Sequence, residues 1–285
     1  MAFDRRTEDI GNIVALEHVN LLVPDQTPAT SFYVSGLGLT RDPYLMTGPD
    51  IMWINAGRQQ FHLPTRGTQV LRGHTALVIN DFDRLATRLE NQRKPLKGTK
   101  FAFKRERGRI DATCPWGNKF RCYPAGKRFG NMKHGIPYVC FDVPKGAADP
   151  ITRFYNEIIG APARTGKFES APAAFVCVGP DQEMIFREKP GRQPEYDGHH
   201  IQVYFADFSG PYQRLLERGL ITMETDQHEY RFITIVDPET GKPVFEIEHE
   251  VRSLHHPLYG RPLVNRNPAQ RNMTYQAGAD ALRAG

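Results

Sequence analysis

The feature that most constrains this chain is an internal repeat. An alternating apolar run, Leu16-Glu17-His18-Val19-Asn20-Leu21-Leu22-Val23, stops at Pro24, and a second, Ile136-Pro137-Tyr138-Val139-Cys140-Phe141-Asp142-Val143, stops at Pro144. Alternation marks a strand, and a proline at its end removes the next backbone donor. Each run leads into a helical stretch with an aromatic pair, Phe32-Tyr33 and Phe154-Tyr155, closing near Gly38 and at Gly160. Glycine there suits a left-handed helix stop. Strand-like segments follow in both copies, Met52 to Asn55 with Gln60 to Leu63, and Ala174 to Val178 with Glu183 to Arg187. Next come His74-Thr-Ala-Leu-Val-Ile-Asn-Asp81 and His200-Ile-Gln-Val-Tyr-Phe-Ala-Asp207, each with an aspartate seven residues after the histidine. Aspartate in that place predicts an N-cap for helices over 81–91 and 207–218. Each copy closes on a hairpin, turning at Pro115-Trp-Gly-Asn118 and at Asp237-Pro-Glu-Thr-Gly241.

Each half therefore reads βαβββ-βαβββ, which predicts an α+β fold of tandem modules over 12–125 and 134–251. The Gly-rich basic stretch from Gly126 to Lys133 is the junction. A polar, basic tail, 252–285, lies outside the repeat and contains Pro257, Pro262 and Pro268. Its Leu254, Leu258, Tyr259, Leu263 and Val264 call for a surface to pack on, which suggests a segment wrapped over the mouth of a site.

Composition narrows the function classes. Apolar residues make up 40% of the 285, enough for a core in each half. No run of about 18 apolar residues exists, so no membrane-spanning helix is expected. The opening residues are polar and unlike a secretory signal, which points to the cytoplasm. Cys114, Cys122, Cys140 and Cys177 show no CxxC spacing and read as reduced, buried thiols. The net charge of +5 is spread out, densest over Lys97 to Arg109 and Arg121 to Lys133. Aromatic residues do not interleave with these basic residues as in a nucleic-acid module. A basic face that draws in an anionic or phenolate substrate is the expectation instead.

In these features the chain resembles the vicinal oxygen chelate superfamily, which includes glyoxalase I and the extradiol ring-cleaving dioxygenases. The resemblance covers about residues 12 to 250 and rests on the motifs above together with the closing Gly-x-x-x-Phe-Glu strand. It implies two eight-stranded modules, each a half-open cup, with metal ligands drawn from strands one, four, five and eight. In the first module those positions read His18, His62, His74 and Arg121, and in the second Tyr138, Ile185, His200 and Glu246. Arginine cannot ligate a cation. Crossing the modules, as glyoxalase I dimers do, gives His18, His62, His200 and Glu246, all able to bind metal, and leaves His74, Arg121, Tyr138 and Ile185.

Two imidazoles and a carboxylate on one face suit Fe(II), alternatively Mn(II), and leave the other face open for a small aromatic or phenolic substrate and O2. The resemblance thus implies a dioxygenase cleaving an aromatic diol of catechol or hydroquinone type. His62 would be a fourth ligand or a base taking the phenol proton. Glu248 and Glu250 share strand parity with Glu246, and Glu248 is its rival because the preceding turn is one residue longer than in the first module. Tyr204 and Gln202 share parity with His200 and would stand beside the substrate, while His249 is an acid/base candidate; His199 would face the other way. Two further functions compete. A glyoxalase-like lyase or isomerase would take Zn or Ni through four protein ligands and use no O2. A metal-free binding protein would not bring the ligands together. A homodimer is a further open possibility for assembly.

Overall fold

The computed structural model of the protein describes residues 3–43, 50–267 and 273. It is an α+β fold of four successive βαβββ motifs. The first comprises β1 (Ile13–Asn20), α1 (Gln26–Ala29), β2 (Thr40–Arg41), β3 (Ile51–Ala56) and β4 (Gln59–Pro64). The second comprises β5 (Gly73–Val78), α2 (Leu85–Asn91), β6 (Ala102–Glu106), β7 (Arg109–Thr113) and β8 (Lys119–Tyr123). The third comprises β9 (Tyr138–Val143), α3 (Ala148–Arg153), β10 (Ala163–Phe168), β11 (Ala171–Gly179) and β12 (Gln182–Glu188). The fourth comprises β13 (His200–Phe205), α4 (Ser209–Leu216), β14 (Ile221–Asp226), β15 (Glu229–Val236) and β16 (Pro243–Ser253).

The strands form two eight-stranded sheets, ordered β14-β15-β16-β13-β1-β4-β3-β2 and β10-β11-β12-β9-β5-β8-β7-β6. Both are mixed: β1 runs parallel to β4, and β5 to β8, while the hairpins are antiparallel. By its contacts the chain forms two compact units. One takes in the described residues of Met1–Leu16, Phe141–Pro194 and Ile201–Tyr259, the other those of Glu17–Cys140, Glu195–His200 and Gly260–Gly285.

Each unit buries one of the two aromatic pairs. In the second unit Tyr33 packs on Phe61 with ring centroids 5.3 Å apart, and Phe32 on Phe120 at 5.4 Å. In the first, Tyr155 packs on Phe186 at 5.6 Å and Phe154 on Phe232 at 5.9 Å. Rings of this size dominate the apolar area removed from water, which is why the pair recurs at each helix. Both helices widen as they end, with Leu37 N–H donating to Phe32 O at 2.8 Å across five residues. Gly38 and Gly160 both stand at φ +78°, as a left-handed stop requires.

The two capping aspartates diverge. Asp207 Oδ1 accepts from the Gly210 N–H at 3.0 Å. Asp81 makes no such bond; its carboxylate takes Arg88 Nη1 at 2.7 Å, and a short 3-10 turn (Phe82–Arg84) precedes α2. A charged donor in reach outcompetes a neutral backbone N–H. The four cysteines are free, three of them buried and Cys177 half-buried. Among the described residues no helix is long and apolar enough to cross a membrane.

Candidate metal centre

His18 lies on β1 with no exposed surface. Its Nδ1 sits 3.1 Å from Glu17 Oε2. An ionised carboxylate only accepts, so this contact puts the ring proton on Nδ1 and the lone pair on Nε2. That is how an outer carboxylate orients a metal-binding imidazole. His200 opens β13, half-buried, with its ring 5.7 Å from that of His18 and nearly edge-on to it. The segment before it is tied down: Gln69 Nε2 donates to Asp197 O at 2.9 Å, and the Val70 N–H donates to Asp197 Oδ2 at 2.6 Å. His199 turns away, fully buried, with Nδ1 held by Asp197 Oδ1 at 2.6 Å.

The carboxylate grouped with these histidines is Glu250. One ligand atom each from His18, His200 and Glu250 lie within 4.8 Å of one another. Glu246, the carboxylate expected from the sequence, is exposed further back on β16. The register explains this correction of four residues. On β15, Arg231 pairs with Glu250, Phe232 with His249 and Thr234 with Glu246. Two steps on β15 thus match three on β16, a bulge. Glu248 and Glu250 both reach Arg231, whereas Glu246 lies beyond the bulge and is exposed.

Glu250 is almost fully buried, and both its oxygens meet arginine: Oε2 lies 2.6 Å from Arg231 Nη2 and Oε1 lies 2.5 Å from Arg252 Nη2. Arg231 also binds Glu248 at 2.7 Å, and both arginines reach Glu229. Burial opposes the charge on Arg231, but Glu250, Glu248 and Glu229 outweigh it and raise its pKa. Glu250, Glu248 and Glu229 thus share two guanidiniums. Each carboxylate oxygen has a second lone pair left for a cation. Glu248 is thereby committed to Arg231.

His62, on β4, is not part of the three-residue group. Its ring is stacked between two others, on His18 at 3.6 Å between centroids and on Trp53 at 4.0 Å with a 6° interplanar angle. Trp53 is its cross-strand partner, which sets that stack. Its Nε2 lies 3.0 Å from Gln60 Oε1. Tyr204 is buried, edge-on to Tyr259 at 4.8 Å and to His256 at 6.4 Å. Gln202, two residues from His200 on β13, is fully buried, and neither of its amide atoms has a hydrogen-bond partner among the described residues.

His249 does not join the site. It faces the core, stacked on its cross-strand neighbour Phe232 at 4.2 Å. Its Nδ1 lies 2.9 Å from Ile247 O, so Nδ1 carries the proton and Nε2 accepts from the Tyr155 hydroxyl at 2.7 Å. Burial lowers its pKa to about 3 against the help of the Ile247 carbonyl. A histidine with both nitrogens engaged and held neutral in a core has no proton to trade.

No family model and no curated protein sequence matches the chain. Solved structures do. Glyoxalase I from Zea mays matches with a TM-score of 0.59 at 14% identity, over 88% of this chain and 95% of that one. A candidate dioxygenase from Bacillus subtilis matches at 0.54 and 13% identity, over 85% of this chain and 86% of that one. The cppA protein of Streptococcus pneumoniae matches at 0.51 and 8% identity, over 86% of this chain and all of that one.

This is the vicinal oxygen chelate fold. At such identities the likeness is one of architecture, and function has to be argued from the site. Within that fold the strand positions not used above hold His74, Arg121, Tyr138 and Ile185. His74 meets Tyr138 edge-on at 5.6 Å, and the Tyr138 and Tyr123 hydroxyls hydrogen-bond at 3.0 Å. Burial pushes the Tyr138 phenol far above its usual range, against the pull of the nearby Arg121 and Arg128 charges.

The sequence reading missed Glu250 as the grouped carboxylate, Glu17 as the residue orienting His18, and the polar line behind His62. Alternation argues against Glu17, since adjacent strand residues point apart. Only the length of a glutamate side chain lets it reach back.

Proposed function

We propose that this protein is a metal-dependent dioxygenase that opens the ring of an aromatic diol of catechol or hydroquinone type with O2. His18 through Nε2, His200 and Glu250 would hold Fe(II), or alternatively Mn(II). The grouping of their ligand atoms within 4.8 Å carries this reading. Two imidazoles and one carboxylate are the donor set of oxygen-activating sites, and they leave coordination positions for substrate oxygen and O2 side by side. When bound, the metal supplies a route for electron density from the diolate to O2.

The chain's own residues do the rest. Glu17 holds the His18 ring in the tautomer that presents Nε2. Arg231 and Arg252 pair with the two oxygens of Glu250 and hold the carboxylate in place. Gln202 offers a buried amide donor and acceptor to the substrate hydroxyls. His62, with its proton on Nε2, has its lone pair on Nδ1 to accept the phenol proton. The basic excess of the chain favours approach of a phenolate.

The likeness to glyoxalase I keeps a non-oxidative lyase or isomerase as the second reading. That reading calls for four ligands, and His62 Nε2 is engaged by Gln60. The test is elemental analysis of protein purified without oxygen, followed by O2-electrode assays with catechols and hydroquinones. Stoichiometric Fe or Mn with O2 uptake is expected. Zn or Ni with turnover that consumes no O2 would give the second reading, and the absence of any stoichiometric metal would overturn both.

A further inference from the structure

The chain of β1, which carries His18, runs on beside β4 after the strand ends. The Leu21 N–H donates to His62 O and the Val23 N–H to Pro64 O, both at 2.9 Å. Successive backbone groups along a strand point to opposite edges, so Leu22 turns its own N–H and carbonyl the other way. Both are met there by one buried residue, Gln69. Its N–H donates to Leu22 O at 3.1 Å, and its side-chain Oε1 accepts from the Leu22 N–H at 2.9 Å. The other end of the same amide, Nε2, donates to Asp197 O at 2.9 Å. Leu22 stands four residues after His18, and Asp197 three residues before His200.

The direction of this link is fixed. A backbone N–H only donates and a backbone carbonyl only accepts, so Leu22 requires the amide oxygen and Asp197 the amide nitrogen. A carboxylate of the same shape would keep the first bond and lose the second. The groups at each end are held in turn. Asn118 repeats the device one step further out: its Oδ1 accepts from the Leu71 N–H and its Nδ2 donates to Gln69 O, both at 2.8 Å. The Asp197 carboxylate accepts from the Val70 N–H at 2.6 Å and from the His199 N–H at 3.3 Å. Residues 192–199 form neither helix nor strand, so their place depends on such bonds. Gln69, Asn118, Leu22 and Asp197 all belong to the compact unit that holds His18 and His200.

We propose that Gln69 is a positioning residue for the metal centre. Its single amide joins the strand of His18 to the segment that delivers His200, and so sets the spacing of the two imidazoles. A metal ion takes its ligand atoms at short, narrowly defined distances, so that spacing bears directly on affinity. The inference rests on His18 and His200 as ligands in the function proposed above, and not on the reaction assigned there.

The test is titration of the full-length, metal-free protein with Co(II), read by visible absorption. Gln69→Glu is expected to weaken Co(II) binding about 10–100-fold, as loss of an outer partner does, and to shift the absorption of the ion that binds. Gln69→Met, which removes both side-chain bonds at similar volume, is expected to weaken it at least as far and serves if Gln69→Glu does not fold. Gln59→Glu places the same carboxylate at another buried glutamine of this unit, whose Oε1 accepts from the Ile136 N–H at 3.0 Å. It is expected to lower the thermal midpoint and leave Co(II) affinity as in wild type. The proposal is overturned if a folded Gln69 variant binds Co(II) as tightly as wild type, or if Gln59→Glu weakens binding as much as Gln69→Glu. A wild type that takes up no Co(II) overturns the metal centre and this proposal together. Failure of the positioning role alone leaves wild-type binding intact, and failure of the dioxygenase reading alone shows as absence of O2 uptake, so the failures are distinguishable.

Discussion

His18 lies on β1 and His74 on β5, the first strands of successive motifs, both buried and in unlike surroundings. Around His18 stand a carboxylate at 3.1 Å, a stacked His62 and the His200 ring. Around His74 stand Tyr138 and, behind it, Tyr123, whose ring lies under the Arg128 guanidinium at 5.0 Å. One neighbourhood offers a carboxylate that orients the His18 lone pair, the other a pair of hydrogen-bonded phenols. A buried strand histidine therefore confers no chemistry by itself. What differs is the group that stands against it.

The contrast breaks most sharply at the ligands. His18→Ala and Glu250→Gln are each expected to reduce bound metal to background, whereas His74→Ala and Glu246→Gln leave it at wild-type stoichiometry. Metal content by elemental mass spectrometry reads all four, and retention in either of the first two would remove the asymmetry. Glu17→Gln is a milder cut, since the amide can still accept from His18 Nδ1 but without charge. A loss of about 10–100-fold in metal affinity is expected by competition with a chelator, the usual effect of removing an orienting partner.

His249 sharpens the comparison from a third direction, as a histidine as buried as His18 but set among core rings. Its folded pKa, about 3, lies below the unfolded value of 6.5. Its contribution to stability is therefore fully present above pH 6.5 and is lost as pH falls toward 3. Denaturant midpoints followed across that window should fall less steeply in His249→Phe than in wild type, even though the variant starts lower by about 1–3 kcal/mol from the Tyr155 hydroxyl left unpaired. The smallest effect belongs to the Tyr138–Tyr123 pair. Tyr138→Phe deletes one hydroxyl contact and is expected to cost about 1 kcal/mol in thermal or chemical unfolding with no change in metal content.

Much of this was legible in advance. The repeat, the buried Phe-Tyr pairs, the glycines at Gly38 and Gly160, and the two hairpin turns are local patterns, and local sterics and burial enforce them. His18 and His200 were expected as a pair from different modules, and their rings lie 5.7 Å apart. Glu250 was not: three glutamates at alternate positions are equivalent in sequence, and only the folded chain shows which of them lies with His18 and His200. Asp81 failed as a helix cap for a similar reason, since only the folded chain shows that Arg88 is within reach.

The sequence by itself determined the order of strands and helices and the recurrence of the motif along the chain. Periodicity and glycine stereochemistry act at short range and are written residue by residue. Tertiary structure alone decided which glutamate lies with His18 and His200, which carboxylate meets His18 Nδ1, and the hold of Arg261 on Asp42. Those depend on register and on the direction of hydrogen bonds between segments as much as 219 residues apart, and no local pattern encodes them.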